Sequence, residues 1–238
     1  MLREEWEAFL SAFSFFTRLP LTPKKFSLER GVLYLPIVGL FLGIISLLLA
    51  KNLGPYLSPP ILAFLILASS YYLADYFHFD GLLDTIDALA AGGDAEKRLK
   101  ILKTPEVGAI GVLFAIFFLL GEYLLSVTLL QEGHTMAFFW RPLVGREAMA
   151  FLALLSKPAK KVGLGSLFLS TSRKRLFLVQ LLWPLFWWQA PAALLPFFLV
   201  FFLKFKFEKN FGGLTGDLLG AGVLISQWSF LLAFLIGG

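Results

Sequence analysis

Long apolar blocks separated by short charged segments are the feature of this 238-residue sequence that most limits its fold. A helix needs roughly 20 predominantly apolar residues to cross a bilayer, and blocks of about that length recur along the chain. Hydrophobic residues make up 58% of the sequence and charged residues only 16%, which is outside the usual range of globular domains. The pattern therefore predicts an all-α, polytopic helical bundle that forms one integral membrane domain over residues 1–238.

The apolar periodicity predicts the order of the elements. The segment 1–17 carries aromatic residues on one helical face and acidic residues on the other, so we expect an amphipathic helix at the membrane interface. A polar segment, 80–106, separates the second predicted span from the third. The predicted spans are 33–50, 61–79, 107–130, 135–155 and 218–236.

The apolar stretch 176–203 decides the number of spans, because 28 residues are too many for one upright helix and few for two. Lys and Arg crowd into both of its flanks, so the positive-inside rule predicts that both ends lie in the cytoplasm. Two short helices that turn at Trp187–Pro191 would give seven membrane segments in the cell (inner) membrane. A re-entrant hairpin is the alternative, and it would leave five full spans.

Three aspartates share one helical face at the end of the second span. Asp80, Asp84 and Asp87 are spaced four and three residues apart. Like charges so close together repel unless a cation lies among them, and Mg²⁺ with oxygen ligands is the usual partner. Cysteine is absent, so thiolate sites are excluded. The spacing predicts a catalytic metal site in a cytoplasmic segment, whereas a merely solvated helix would leave the one-sided spacing unexplained.

Two neighbouring aspartates fit this site less well. Asp94 follows two glycines and precedes a predicted helix, a position that favours an N-cap over a metal ligand. Asp75 lies about 140° around a continuous helix from Asp80, so we expect it to face elsewhere.

A carboxylate-bound metal favours an anionic substrate such as a pyrophosphate, and cations should converge on it. Lys103, after the acidic segment, and Arg146, in an apolar block, are candidate substrate contacts. The alternative for Arg146 and for Arg141 is an internal ion pair with Glu122 or Glu147, because an unpaired charge at membrane depth is costly.

The Gly-rich polar segment 204–217, which we predict to be a loop before the last span, offers further candidates. Gly213, Thr215 and Gly216 would present backbone amides to a phosphate, and Asp217 is a possible additional metal ligand. His78, two residues before the first of the three aspartates, is either a substrate contact or a histidine that the interface tolerates.

These motifs occur together in a fixed order. They are Phe16-Thr17-Arg18-Leu19-Pro20, His78-Phe79-Asp80-Gly81-Leu82-Leu83-Asp84-Thr85-Ile86-Asp87, Lys103 with Gly108 and Gly111, Arg146, and Gly212-Gly213-Leu214-Thr215-Gly216-Asp217 with Gly220-Ala221. In that order they resemble the cobalamin synthase family, also called adenosylcobinamide-GDP ribazoletransferase, over residues 13–222. The chain departs from the family pattern at Ala88, Thr104 and Gln227, none of which belongs to the three-aspartate motif.

The resemblance implies a Mg²⁺-dependent transfer of adenosylcobinamide phosphate from adenosylcobinamide-GDP to α-ribazole or its 5′-phosphate, with release of GMP. It implies that the metal-bound aspartates hold the pyrophosphate and that Arg18 makes a supporting substrate contact. Membrane lipid is an expected partner and nucleic acid is not, while the sequence leaves homo-oligomer formation open.

Two other classes of protein use similar residues. A CDP-alcohol phosphotransferase also stacks aspartates on metal, but its motif needs an Ala-Arg pair and two later aspartates that are missing here. A cation transporter would spread its carboxylates over several helices near the middle of the membrane. The clustering of carboxylates at one edge favours the enzyme.

Overall fold

The structure, a computed structural model, describes residues 2–159, 164–169, 171–181 and 191–237. The described residues form helices and connecting turns, and the one β-bridge among them joins Pro158 to Leu214. The predicted all-α class is confirmed. In chain order, the α-helices are α1 (Leu2–Phe16), α2 (Leu28–Gly31), α3 (Leu35–Leu53), α4 (Pro59–Ser70), α5 (Tyr76–Ala90), α6 (Ala95–Ile101), α7 (Ala109–Gln131), α8 (Met136–Leu155), α9 (Leu164–Leu169), α10 (Arg173–Gln180), α11 (Leu194–Phe211) and α12 (Gly216–Gly237).

Four helical stretches in the described residues are long and apolar enough to cross a membrane. They are Leu28–Leu53, Pro59–Ala90, Ala109–Gln131 and Gly216–Gly237. Many of their large apolar side chains face outward, as expected of helices solvated by lipid. The polytopic membrane bundle is thus supported, while the total of seven segments stays a prediction.

Between the fourth and last predicted spans, the helix boundaries differ from the prediction. Residues 187–190 of the predicted turn lie outside the described residues. The segment 204–217 was predicted as a loop, which is wrong for its first half, because α11 continues to Phe211. The charges in this part suggested a loop, but Lys204 and Glu208 pair at 3.0 Å one turn apart and so stabilise the helix.

Helix α1 covers most of the predicted segment 1–17 and has one buried face and one acidic face. Its buried face includes Phe13 and Phe16, while its acidic residues bind the segment that leads into α3. The Glu4 carboxylate lies 2.9 Å from the Arg30 guanidinium, and the Tyr34 hydroxyl donates to Glu5 over 3.0 Å. These contacts fix α1 on the bundle, and its position at the interface of a bilayer stays a prediction.

Helices α4 and α5 form one helical rod that is longer than a bilayer is thick. At about 1.5 Å per residue, the stretch Pro59–Ala90 extends roughly 48 Å, whereas the hydrocarbon core measures about 30 Å. About 20 residues suffice to cross it, so a span that begins at Pro59 would end near Phe79. That the three aspartates project beyond the apolar layer stays a prediction.

A π-helical turn, Tyr71–Asp75, joins α4 to α5. Such turns add one residue to a helical repeat and occur often at functional sites. Here the turn places Tyr71 and Asp75 against α7 and α8, where the Asp75 side chain is almost fully buried.

The π turn completes a chain of buried charges that alternate in sign. The Glu122 carboxylate on α7 accepts hydrogen bonds from the Arg141 guanidinium at 2.6 and 2.9 Å and from the Tyr71 hydroxyl at 2.8 Å. Asp75 lies 3.6 Å from Arg141 and 3.1 Å from Arg146. Two acids thus neutralise two arginines, and we call these four residues the buried ion chain. The predicted pairing of Arg141 with Glu122 is confirmed.

We predict that Asp75→Ala destabilises the protein strongly, because it leaves two buried arginines facing one carboxylate. Loss of one partner of a buried ion pair costs about 3–5 kcal/mol in soluble proteins. The thermal midpoint of the protein purified in detergent should fall much further for Asp75→Ala than for Glu4→Ala, which breaks an exposed ion pair. Equal shifts for the two variants would contradict a structural role for the chain.

Candidate active site

The site is built where α5 packs closely against the start of α12. A Cβ atom added at Gly81 would lie 2.7 Å from the carbonyl oxygen of Asp217, and one added at Gly220 would lie 3.0 Å from the Cα of His78. Only glycine permits backbones to approach this closely, as in tightly packed membrane helices. The contact brings Asp217 beside the acidic face of α5.

Asp80, Asp84 and Asp87 follow one another along the face of α5 that lies beside Asp217, and we call these four residues the aspartate cluster. Asp84 is half-buried, and the charges of Asp80, Asp217 and Asp87 all act on it. Neither Asp80 nor Asp84 takes part in any ion pair within the described part of the chain. The structure therefore brings together the four predicted metal ligands and concentrates negative charge among them.

Asp87 has a second set of contacts that the sequence analysis missed. The backbone N–H groups of Gly108 and Gly111, at the start of α7, each donate to its carboxylate over 2.7 Å. A Cβ atom at either glycine would collide with that carboxylate. The helix N-terminus also favours a negative charge there. Gly108 and Gly111 thereby hold Asp87 in one orientation. The sequence had shown these glycines only as part of the family motif, without a role.

The donor set fits a hard divalent cation, because carboxylate oxygens are the ligands that Mg²⁺ prefers and cysteine is absent. Asp80 is exposed and Asp84 and Asp217 are half-exposed, so their side chains have room to turn toward an ion. As they stand, no three carboxylate or imidazole groups of the described residues lie close enough together to enclose one ion. Metal binding at the cluster therefore stays a prediction that requires side-chain rotation.

Arg18 lies one helical turn from the cluster. Its guanidinium stacks 4.1 Å from the ring centre of Tyr76, which precedes Asp80 by four residues, and its backbone N–H donates to the carbonyl oxygen of Leu73 over 2.7 Å. Its exposed side chain is thus held near the cluster without an ion pair in the described residues.

Lys103 lies in the connection between α6 and α7, with an exposed side chain that makes no hydrogen bond or ion pair in the described residues. The connection between α6 and α7 ends at Gly108, whose backbone N–H binds Asp87. Asp94 accepts the Lys97 N–H over 2.9 Å at the start of α6, so the predicted N-cap is confirmed.

The predicted phosphate loop has structural contacts of its own. Leu214 pairs with the 157–159 segment, its N–H donating to the Lys157 carbonyl oxygen over 2.9 Å, and a Cβ atom at Gly213 would strike this segment. Thr215 caps α12 by accepting the Leu218 N–H over 3.3 Å and donates to Asp217 over 3.2 Å. Gly216, by contrast, is exposed.

Arg146 and His78 lie deeper than the other predicted residues. Arg146 is fully buried and bound to Asp75, the residue that the helical spacing had placed outside the site. Asp75 does face away from the cluster, and its burial next to a π turn gave no signal in the sequence. His78 is also buried, near both of these charges. The structure thus places Arg146 in the buried ion chain instead of bringing it to the aspartate cluster.

Comparison with known proteins identifies the family of this chain. A sequence profile described as cobalamin-5-phosphate synthase matches residues 8–235. The adenosylcobinamide-GDP ribazoletransferase of Clostridium botulinum (strain Loch Maree / Type A3) is 30% identical over 96% of the chain and 97% of the relative. The protein of the same name from Alkaliphilus oremlandii is 32% identical over 95% of the chain and 96% of the relative.

A third relative with this name, from Thermodesulfovibrio yellowstonii, is 30% identical over 96% of both proteins. No solved structure matches the chain. The profile covers nearly the whole sequence, and the relatives match it almost from end to end. The chain therefore belongs to the cobalamin-5-phosphate synthase family of transferases in cobalamin biosynthesis.

Proposed function

We propose that this enzyme transfers adenosylcobinamide phosphate from adenosylcobinamide-GDP to α-ribazole or α-ribazole 5′-phosphate and releases GMP. The relatives' names give the donor and the acceptor group. The observation that carries the proposal is the aspartate cluster, because four carboxylates at the edge of an apolar bundle suit a metal-bound pyrophosphate.

The reaction is a substitution at phosphorus. A ribose hydroxyl of ribazole forms a new O–P bond to the cobinamide phosphate, the P–O bond to GMP breaks, and the hydroxyl proton passes to a carboxylate of the cluster. Mg²⁺, when bound, would neutralise charge on the transferring phosphate and on departing GMP. Asp80, Asp84 and Asp217 would turn toward the ion, while the Gly108 and Gly111 amides keep Asp87 oriented.

Two exposed cations on segments that contact α5 or lead to Gly108 are our candidates for binding the phosphate oxygens. Arg18 is positioned by its stacking on Tyr76, and Lys103 lies on the connection that ends at the Asp87 contact. Neither has a competing carboxylate among the described residues. Arg146 acts indirectly, through the buried ion chain that anchors the start of α5.

We further propose that the protein lies in the inner membrane with the aspartate cluster facing the cytoplasm. The positive-inside rule supports this orientation, because the connection after α5 is rich in Lys and Arg whereas the turn after α3 is not. Nucleotide-activated substrates are also made in the cytoplasm.

The activity has a direct test. Purified protein in detergent, given Mg²⁺, adenosylcobinamide-GDP and α-ribazole 5′-phosphate, should release GMP and form a cobalamin product. Asp84→Asn should lower the rate by at least about 100-fold, because it weakens the charge at the centre of the cluster. Asp94→Asn, which changes only a helix cap, is the matched control and should retain most activity. No product from the wild type, or an undiminished rate for Asp84→Asn, would reject the proposal.

Gly111→Ala tests the contact that orients Asp87. The added Cβ atom would displace the carboxylate, so the Mg²⁺ concentration needed for half-maximal rate should rise about 10-fold or more, as for other residues that orient metal ligands. Gly237→Ala adds the same atom in open space and should leave this concentration unchanged. An unaltered Mg²⁺ requirement in a folded Gly111→Ala protein would show that Asp87 is not a ligand.

The orientation can be measured because the natural chain lacks cysteine. A single cysteine replacing Tyr56, which is 84% exposed in the turn after α3, should react with a membrane-impermeant maleimide in intact cells. A cysteine replacing Lys97 on α6 should react only after the cells are permeabilised. The opposite result would place the aspartate cluster outside.

A further inference from the structure

A small cavity of about 210 Å³ lies directly beside the aspartate cluster. Asp80 and Asp217 form one side of it, and helices α1, α5, α8, α9 and α12 contribute to its wall. The part of the wall away from the carboxylates is apolar. Its large side chains are Phe15, Phe16, Phe77, Met149 and Phe168.

The aromatic side chains of this wall support one another. The rings of Phe16 and Phe168 meet edge to face with their centres 6.0 Å apart, and Phe15 packs against Phe16 at 4.8 Å. Phe77 meets the imidazole of His78 at 4.3 Å. Faces and edges of aromatic rings favour planar, apolar guests, because such guests can stack on them.

His78 supplies the one polar side chain of the wall besides the carboxylates. It is 97% buried, since its relative exposure is 3%, and its Nε2 atom has no hydrogen-bond partner in the structure described. An unpaired buried polar atom costs about 1–3 kcal/mol and is rare in native proteins. A turn of the imidazole that pairs Nε2 with a ligand atom in the cavity would remove this cost.

We propose that this cavity binds the aromatic base of the ribazole acceptor. The inference rests on the proposed function and extends it from the reaction to the recognition of one substrate. The base is a planar, apolar benzimidazole in which one ring nitrogen carries the ribose and the other is free to accept a hydrogen bond. The cavity matches it with an aromatic wall, and a turn of the His78 ring would bring one of its nitrogens to the free ring nitrogen of the base.

This placement also orients the sugar. With the base among the phenylalanines, the ribose extends toward Asp80 and Asp217, where the cavity opens on the aspartate cluster. The attacking hydroxyl then lies next to the carboxylates that receive its proton and hold the donor's pyrophosphate. Binding of the base thus sets the direction of attack.

The donor fits the cavity less well. Guanine carries two donor groups and three ring or carbonyl acceptors that water otherwise satisfies, and an apolar wall with one nitrogen would leave most of them unpaired. The corrin ring system is far larger than the cavity. Both parts of the donor therefore lie outside it, on the exposed side of the cluster.

Kinetic constants for the two substrates test the assignment. Phe168→Ala should raise the KM for α-ribazole about 10-fold or more, the usual effect of removing a ring that stacks on a base, and leave the KM for adenosylcobinamide-GDP unchanged. Phe114→Ala, which truncates a phenylalanine in a separate apolar groove between α5 and α7, is the control and should change neither constant. A rise in the donor KM alone would assign the cavity to the donor and overturn the inference.

His78 is tested by two substitutions of similar size. His78→Gln keeps a polar group near the position of Nε2, whereas His78→Leu removes it. His78→Leu should therefore bind α-ribazole about 10-fold more weakly than His78→Gln. The two affinities are measured by equilibrium dialysis in the absence of donor and Mg²⁺. Equal affinities would overturn the hydrogen bond. Free 5,6-dimethylbenzimidazole should compete with α-ribazole and not with the donor.

The two proposals fail in different ways. If the proposed function is wrong, the wild type releases no GMP from adenosylcobinamide-GDP. If only the cavity assignment is wrong, GMP is released and the α-ribazole constants of the Phe168 and His78 variants equal those of the wild type. Thermal midpoints measured on the same preparations identify any variant that has failed to fold.

Discussion

The buried ion chain is the interaction on which the rest of the structure depends. Glu122, Arg141, Asp75 and Arg146 alternate in sign, so each of these four charges has an opposite neighbour. Its members come from α7, α8 and the π turn before α5, which ties these elements to one another more specifically than apolar contacts between membrane helices can. Because α5 begins at this chain, the position of the aspartates is set by charges that never touch them.

From this anchor, close backbone packing completes the site. Gly81 and Gly220 admit α12 against α5 and so add Asp217 to three aspartates that are local in sequence. At the other end of the acidic face, the start of α7 orients Asp87 with two amides. The cluster is therefore assembled from three helices, each of which is fixed elsewhere in the bundle. A catalytic group needs such supporting contacts to keep a fixed position.

The sequence predicted the parts of this structure that depend on local pattern. Apolar block length and helical spacing located α3, α7, α8 and α12 within a few residues and placed Asp80, Asp84 and Asp87 on one face. The pairing of Arg146 with Asp75 escaped prediction because it depends on how α8 packs against a π turn. The role of Gly108 and Gly111 escaped it for a similar reason, since a glycine motif does not say which atom approaches. The stretch 204–211 was misassigned because charge density was taken as a sign of a loop.

The π turn at Tyr71–Asp75 limits which insertions and deletions the helical rod formed by α4 and α5 can accept. An added or missing residue in a helix rotates everything beyond it by about 100°. The turn therefore sets the angular phase between the half of the rod that faces lipid and the half that carries the aspartates. Each half can keep the face that its own surroundings require. Deletion of Ala74 would keep every aspartate and every large apolar side chain of the rod, yet turn the acidic face away from α12.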